Sequence, residues 1–101
     1  MSEFIWIHFA LPRTSWYEKS EASRGELENS WDSVRADSRS RGASSEGRYH
    51  VRGQSDYSTV EVWRFPSADA AFDHWQRLVA AGYGRWFHSS NSLGVDLKEA
   101  P

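Results

Sequence analysis

The sequence of 101 residues contains no cysteine. This absence excludes disulfide bonds, thiolate metal ligands and a cysteine nucleophile, and it is typical of proteins from a reducing compartment. Long apolar stretches are missing too, since the longest, from Phe4 to Leu11, is interrupted by His8 and is far too short to span a bilayer. The first residues show neither the basic start nor the cleavage site of a signal peptide. We therefore expect a soluble, cytoplasmic protein with no membrane partner.

An excess of positive charge is also lacking. The formal net charge is −2, and the arginines are spread among aspartates and glutamates rather than gathered along one helix. Proteins that bind nucleic acid carry a concentrated basic surface. The pattern therefore predicts no nucleic-acid partner, and the motifs of nucleotide cofactors and serine hydrolases are absent as well.

Tryptophan, in contrast, is abundant. The six tryptophans are Trp6, Trp16, Trp31, Trp63, Trp75 and Trp86. Such rings fill a core, yet a domain of this size buries only a modest fraction of its surface. Residues 1–101 are expected to form a single domain. Burying apolar area against a second copy would relieve the limit on the core, so the composition favours a homodimer.

The first half of the chain predicts a strand followed by a helix. Phe4 to Leu11 is predicted to be a central strand, because both of its faces carry large side chains. A helix is expected between residues 15 and 41, with Ser15, Ser20 and Ser23 as alternative N-caps. Its apolar face carries Leu27, Trp31 and Val34, and its opposite, polar face carries Glu28, Asp32, Arg35 and Arg39.

A hairpin is predicted next. Apolar and polar residues alternate weakly over residues 48–54 and strongly over residues 57–65. Between them, residues 53–56 are of types that favour a turn. Residues 38–47 are rich in serine, glycine and charge, which predicts a solvated loop.

The remainder predicts a second helix and a last strand. Ser67 is the expected N-cap, Gly82 and Gly84 are expected to end the helix, and the strand is expected within residues 85–97. The apolar stripe of this helix is Phe72, Trp75, Leu78 and Val79. The complete order, β-α-β-β-α-β, predicts the ferredoxin-like α+β fold, in which one antiparallel sheet carries two helices on one face.

The segment from residue 56 to residue 91 resembles a known group of proteins. The residues that carry the likeness are Asp56-Tyr57, Val62-Trp63-Arg64-Phe65-Pro66, Asp69-Ala70-Ala71, Ala81-Gly82-Tyr83, Phe87 and Asn91. This pattern resembles small bacterial dimeric α+β barrel proteins, whose relatives include antibiotic-biosynthesis monooxygenases, muconolactone isomerase-like enzymes, polyketide cyclases and haem-degrading monooxygenases. The resemblance implies that the bare faces of two sheets meet in a dimer. It also implies a ligand pocket between sheet and helices or at the barrel centre.

Alternation along the strands divides their residues into two sets. The set expected to pack under the helices is Ile5, Ile7, Phe9, Val60 and Val62, and the opposite set is Phe4, Trp6, His8, Thr59, Glu61, Trp63 and Phe65. Because strands one and three are neighbours in a ferredoxin-like sheet, His8 and Glu61 are expected to lie close together as a candidate acid/base pair. The alternative is an ordinary half-buried histidine beside a glutamate that reaches solvent or a partner.

Further residues are candidates for binding a ligand. They are Trp6, Trp63 and Phe65 on the strands, and His50, Arg52, Tyr83, Trp86, His88 and Asn91 elsewhere. Arg52 suits an anionic group of a ligand. For His50, Arg52 and His88, plain surface exposure is the stronger interpretation, because polar residues of short strands are mostly exposed. Tyr83, Trp86 and Asn91 could line the entrance of a pocket, but packing in the core is the stronger interpretation for each.

Haem is the alternative cofactor that the resemblance implies. In haem-degrading relatives a helical histidine binds the iron, and His74 lies on the second predicted helix. The position expected for that ligand, nearer the helix end, carries Gly84 and Arg85 instead, so exposure of His74 on the polar face is the simpler interpretation. The four histidines show no metal-ligand spacing, and no metal site is predicted.

The leading functional hypothesis is a cofactor-independent enzyme, a monooxygenase or an isomerase/cyclase, that acts on a small aromatic or polycyclic molecule. His8 would be the base, Glu61 would orient it or share its proton, and the aromatic rings would stack on the substrate. One alternative is a haem-binding dimer with His74 or His88 as the axial ligand. The other is a non-catalytic ligand-binding or structural dimer.

Overall fold

A four-stranded antiparallel sheet forms the base of the molecule. The computed structural model describes residues 3–53 and 56–98. Its strands are β1 (Phe4–Pro12), β2 (Ser44–His50), β3 (Thr59–Phe65) and β4 (Phe87–Val95). Their order across the sheet is β2-β3-β1-β4, and every pairing is antiparallel. This is the ferredoxin-like order, so the predicted α+β fold and the central position of β1 are confirmed.

Within the described residues, two long helices and two short ones connect the strands. They are α1 (Thr14–Tyr17), α2 (Glu21–Ser40), α3 (Ala68–Ala80) and α4 (Tyr83–Trp86). Of the alternative N-caps, Ser20 is the one used for α2, since its hydroxyl accepts a hydrogen bond from the Ser23 amide at 3.1 Å. Ser67 caps α3 as predicted, through the Ala70 amide at 3.1 Å. No helix within the described ranges is long and apolar enough to cross a membrane.

The prediction of a loop at residues 38–47 is mostly wrong. Helix α2 continues to Ser40 and β2 already begins at Ser44. The helix continues because Ser38 is buried and forms hydrogen bonds with the side chains of His74 and Arg77 on α3. Helix propensity, which is a local property, does not predict these tertiary contacts. The weak strand expected at 48–54 therefore lies earlier, at Ser44–His50. Part of the predicted turn, Gln54 and Ser55, falls outside the described residues.

The two faces of the sheet are reversed relative to the prediction. Trp6, His8 and Ala10 of β1 and Glu61, Trp63 and Phe65 of β3 are buried under the helices. The set expected there, Ile5, Ile7, Phe9, Val60 and Val62, is instead only half-buried on the open face. Alternation groups residues by face but does not identify the covered face. The aromatic side chains fill the deeper space beneath the helices, where Trp6 lies 6.3 Å from Trp75 and His8 lies 5.2 Å from Tyr83 between ring centroids.

Candidate functional site

A row of polar residues crosses the helix-facing side of the sheet. The strand register places Arg48 opposite Glu61, Glu61 opposite His8, and His8 opposite Asn91. One residue from each strand therefore contributes to the row. At its centre, His8 is 2% exposed and Glu61 is 5% exposed. The sequence predicts that His8 and Glu61 lie close together, and they are the two central residues of this row.

The ring of His8 is held by two hydrogen bonds and one stacked ring. Its Nδ1 lies 2.5 Å from Asn91 Oδ1, and its Nε2 lies 2.8 Å from the Tyr83 hydroxyl. With the amide of Asn91 in this orientation, Oδ1 only accepts, so Nδ1 carries the proton and the Nε2 of a neutral ring accepts from Tyr83. Trp6 stacks on the other side at 4.9 Å between ring centroids. The tautomer and the orientation of His8 are thereby fixed.

Burial keeps both members of the Tyr83–His8 pair uncharged. Desolvation lowers the pKa of His8, and this effect outweighs the Asn91 hydrogen bond and the charge of Glu61, which raise it. Burial also raises the pKa of the Tyr83 hydroxyl. At neutral pH a neutral imidazole therefore accepts a hydrogen bond from a protonated phenol, which is the arrangement of a proton relay.

Glu61 is bonded to an arginine and a tryptophan. Its Oε1 accepts hydrogen bonds from Arg35 Nε at 2.9 Å and Trp63 Nε1 at 2.7 Å, and its Oε2 accepts one from Arg35 Nη2 at 3.3 Å. Burial by itself raises the pKa of Glu61, but the charge of Arg35 and these hydrogen bonds lower it further than burial raises it. Glu61 therefore stays ionised. No hydrogen bond between described residues joins it to His8, so it influences His8 through its charge.

Arg35 is a site residue that sequence reasoning missed. The sequence pattern places it on the face of its helix opposite the apolar residues, which is wrong, because Arg35 is 5% exposed and bonds to Glu61 across the core. Its Nη1 also donates to Asp32 Oδ1 at 2.9 Å. The available signal was its spacing, since Arg35 follows the core residue Trp31 by four positions and so shares its side of α2.

These groups line one cavity of about 230 Å³ between α2, α4 and the sheet. The lining residues are His8, Pro12, Trp16, Glu28, Trp31, Asp32, Arg35, Arg48, Thr59, Val60, Glu61, Tyr83 and Phe87. In another protein an engineered apolar cavity of about 150 Å³ binds benzene. By that standard the cavity accommodates one ring with a substituent rather than a fused polycyclic molecule.

The aromatic strand residues proposed for substrate stacking lie outside this cavity. Trp63 is fully buried between Phe65, at 5.7 Å, and His74, at 4.9 Å. Trp6 and Asn91 line a separate cleft of about 100 Å³ between α3 and β4. His8 therefore joins two spaces, because Asn91 lines the cleft and Tyr83 lines the main cavity.

The remaining sequence candidates lie at the surface or at its margin. His50 and Arg52 are exposed at the end of the hairpin and do not line the cavity. His88 is exposed on β4, where its Nε2 lies 3.2 Å from Arg13 Nη1. Trp86 is half-buried on α4 and lines a shallow cleft beside Lys19.

His74 is buried, so its predicted exposure on the polar face of the helix was wrong. Helix α3 turns Ala71, His74 and Leu78 towards the sheet and leaves Phe72 and Val79, two residues of the predicted apolar stripe, exposed. The small Ala71 and the medium-sized His74 fit there because the large rings of β1 and β3 already fill the space. Burial lowers the pKa of His74 to about 4.

The hydrogen bonds of His74 leave one of its nitrogens unused. Its Nδ1 lies 2.6 Å from Ser38 Oγ, which also accepts a hydrogen bond from Arg77 Nη2 at 3.0 Å. Among the described residues, His74 Nε2 is the one buried side-chain nitrogen or oxygen without a hydrogen-bond partner. The rings of Trp6, Trp63 and Phe65 surround it, with centroids 4.9 to 5.2 Å away.

Comparison with solved structures identifies the same fold in other proteins. A mutant chlorite dismutase from Candidatus Nitrospira defluvii superposes with a TM-score of 0.78 at 16% identity, over 97% of this chain and 41% of that chain. A haem-binding protein from Thermus thermophilus gives 0.68 at 18% identity, over 100% of this chain and 44% of that one. The protein Rv0793 from Mycobacterium tuberculosis gives 0.55 at 15% identity, with both chains fully covered.

These likenesses establish the fold. The chain shares its ferredoxin-like fold with these proteins, which confirms the resemblance drawn from residues 56–91 at the level of fold. It spans about two-fifths of the length of the chlorite dismutase chains. No protein-family model matches this sequence, and none of the curated proteins does. Because one fold supports many activities, the function has to be argued from the site itself.

Proposed function

We propose that this chain is an enzyme that moves a proton on a small organic substrate, in a reaction of the isomerase or cyclase type. The observation that carries the proposal is the hydrogen-bonded line from Tyr83 and His8, which lie in the wall of the cavity, to Asn91 in the neighbouring cleft. A proton transfer is common to the reactions that the sequence suggests. Of these reactions, isomerisation and cyclisation need no oxidant, so a proton transfer by these residues is sufficient for them.

The chemical step uses Tyr83 as the group that touches the substrate. A substrate C–H adjacent to a carbonyl gives its proton to Tyr83 Oη while the Tyr83 proton passes to His8 Nε2, and the bonding pair stays on the substrate as an enolate. His8 becomes an imidazolium that donates to Asn91; burial and the charges of Arg35 and Arg48 oppose this cation, and the Asn91 hydrogen bond and the charge of Glu61 favour it. Returning the proton at another atom reverses the relay, so the net reaction is a rearrangement.

The proposal is tested by hydrogen exchange, which does not depend on the identity of the natural substrate. Enolisable single-ring ketones such as phenylacetone are incubated with the protein in D₂O, and loss of the α-proton signal is followed by NMR. We expect the native protein to accelerate exchange, and Tyr83→Phe and His8→Gln to reduce the acceleration by about 100-fold, as for loss of a general acid–base group.

The matched control for Tyr83→Phe is Tyr17→Phe. Tyr17 is 68% exposed and does not line the cavity, so its hydroxyl should not affect the exchange rate. Exchange by Tyr83→Phe at the native rate, or no acceleration by the native protein, contradicts the proposal.

A homodimer through the open sheet face belongs to the same proposal. Ile5, Ile7, Phe9, Val60 and Val62 form an apolar surface that the helices do not cover. Burying such a surface against a second copy gains roughly 25 cal/mol for each Å² of apolar area removed from water. The cavity lies between the helices and the other side of the sheet, and Val60 is the one residue of this surface that also lines it, so dimerisation leaves the helix side of the cavity open.

Haem binding is the second candidate function. The fold likeness to a haem-binding protein and the unpartnered Nε2 of His74 favour it. The packing around the buried histidines does not fit the group, because an axial ligand needs a free ring nitrogen beside an open space. His74 is enclosed by three rings and lines neither the cavity nor the clefts beside it, whereas both nitrogens of His8 are hydrogen-bonded.

Titration with haem decides between the two candidates. A sharp Soret band at one haem per chain that His74→Phe abolishes would establish haem binding and would require the rings around His74 to move. A spectrum that remains the sum of free haem and protein would remove this candidate. His88→Gln tests the other histidine named as an axial ligand, and His50→Gln, which alters an exposed histidine, is the control for nonspecific ligation.

A further inference from the structure

We propose that the cavity binds a single-ring compound bearing a planar oxyanion such as a carboxylate, and that Arg35 and Arg48 hold this group. The inference rests on the proposed function, because it assigns a ligand class to the same cavity. Binding and proton exchange are measured separately, so the failure of one is distinguishable from the failure of the other.

Arg35 keeps hydrogen-bond donors that its protein partners do not use. A guanidinium has five N–H groups, and the bonds to Glu61 and Asp32 occupy one on each of the three nitrogens. Each terminal nitrogen of Arg35 therefore has one further N–H group beyond the bonds made within the described residues. Arg35 is buried and lines the cavity, and a buried donor without an acceptor costs free energy. An oxygen acceptor on a ligand would remove that cost.

Arg48 supplies a second, less engaged guanidinium at the mouth of the same cavity. Its Nε lies 3.8 Å from Glu61 Oε2, beyond hydrogen-bonding distance, and its side chain is 61% exposed. It makes no hydrogen bond to any residue within 3–53 and 56–98, so its fork of donors is open to a ligand. Planar carboxylates match this fork with two parallel hydrogen bonds.

The buried charges of the cavity balance, so the charge open to a ligand lies at the mouth. Arg35 and Glu61 are both buried and neutralise each other, and the guanidinium of Arg48 lies next to Glu61 at the mouth. Asp32 and Glu28 are exposed like Arg48, so solvent and salt screen all three charges, and Asp32 is already paired with Arg35. The unused donors of Arg35 and Arg48 are therefore what favours an anion.

The walls of the cavity define the rest of the ligand. Trp16, Trp31 and Phe87 present aromatic rings beside these charged groups, and the volume of about 230 Å³ suits one ring. The opposing possibility is a ligand cation, which the aromatic walls and the two acidic residues at the mouth would attract. The experiment therefore compares ligands of one shape and three charges.

Benzoate, benzamide and benzamidine are nearly isosteric and carry a negative, a neutral and a positive group. Each is titrated into the ¹⁵N-labelled protein, and binding is followed at the indole N–H of Trp31, which lines the cavity and donates to the Ala81 carbonyl at 3.1 Å. We expect benzoate to bind about tenfold more tightly than benzamide, and benzamidine to bind most weakly.

The test variant is Arg48→Gln, and its matched control is Arg41→Gln. The two side chains have nearly the same exposure, 61% and 62%, but Arg41 lies at the far end of α2 and does not line the cavity. We expect Arg48→Gln to weaken benzoate binding about five- to tenfold and to leave benzamide binding unchanged. Arg41→Gln should change neither.

Each other outcome overturns the inference. Tighter binding of benzamidine than of benzoate would assign the cavity to cations. Equal benzoate affinity in Arg48→Gln and the native protein would remove the role of the arginine. If none of the three ligands shifts the Trp31 indole signal, the ligand class is wrong, and the proton-exchange measurement still decides separately whether the Tyr83–His8 relay operates.

Discussion

At the scale of single residues, the contact between Arg35 and Glu61 couples the core to the cavity. Both side chains are 6% exposed, and removing one partner leaves an uncompensated buried charge. We expect Glu61→Leu to lower the free energy of unfolding by about 3 kcal/mol. The double variant Arg35→Met/Glu61→Leu should lose less than the two single variants added together, because no charge is left unpaired.

Urea denaturation of the four proteins in this double-mutant cycle measures the coupling. Arg41→Gln, which breaks exposed ion pairs with Asp37 and Asp73, should cost less than about 1 kcal/mol in the same assay. Additive losses in the cycle would show that Arg35 and Glu61 contribute independently.

The buried His74 makes stability depend on pH. Its pKa is about 4 in the folded protein against an ordinary 6.5, so between these values the unfolded chain binds more protons. Stability therefore falls as the pH drops through this window, by about 3 kcal/mol in total, and is fully present above pH 6.5. We expect His74→Phe to flatten the dependence of the urea midpoint on pH between 7 and 4.

Part of the slope should remain in His74→Phe, because burial lowers the pKa of His8 as well. An unchanged slope in His74→Phe would mean that His74 is not held neutral by its surroundings.

At the scale of elements, the join between α3 and α4 places the Tyr83 hydroxyl. Gly82 has a φ of +87°, a conformation that residues with a Cβ rarely adopt, whereas Gly84 has ordinary backbone and open space around it. We expect Gly82→Ala to cost about 1–2 kcal/mol. Gly84→Ala should be neutral or stabilise by up to about 1 kcal/mol, because it reduces the freedom of the unfolded chain.

Thermal unfolding of the two glycine variants provides the comparison, with proton exchange as the functional readout. Gly82→Ala should also slow the exchange, because it shifts the element that carries Tyr83. Equal melting temperatures for the two variants would show that the left-handed turn carries no strain.

At the scale of the whole molecule, we expect the open sheet face to determine the assembly. Ile7→Lys places a charge in the centre of that face, among Ile5, Phe9 and Val62. We expect the native protein to sediment as a dimer and Ile7→Lys as a folded monomer, because burying an unpaired ammonium costs more than the interface gains. Analytical ultracentrifugation over a range of concentrations measures this.

Phe72→Lys is the control for this experiment, because Phe72 is an exposed aromatic residue on α3, away from the open face. It should leave the dimer intact. A native protein that is monomeric at all concentrations would contradict the assembly, although the cavity on the other side of the sheet would remain.

Local patterns in the sequence determined the elements and which residues share a face. Period-two alternation placed His8 beside Glu61, Ser67 was correctly identified as an N-cap, and Gly82 marked the end of α3. These features depend on neighbours a few positions apart or on the ferredoxin-like strand order. They can therefore be predicted from a single sequence.

Only the tertiary structure decided which face the helices cover and which groups complete the site. The partners of His8 come from α4 and β4, 75 and 83 positions away, and Arg35 meets Glu61 from another layer of the fold. Burial of His74 likewise depended on how α3 fits over large rings on two strands. The physical reason is that packing is settled by the volumes and charges of residues brought together from distant positions, and local periodicity contains neither.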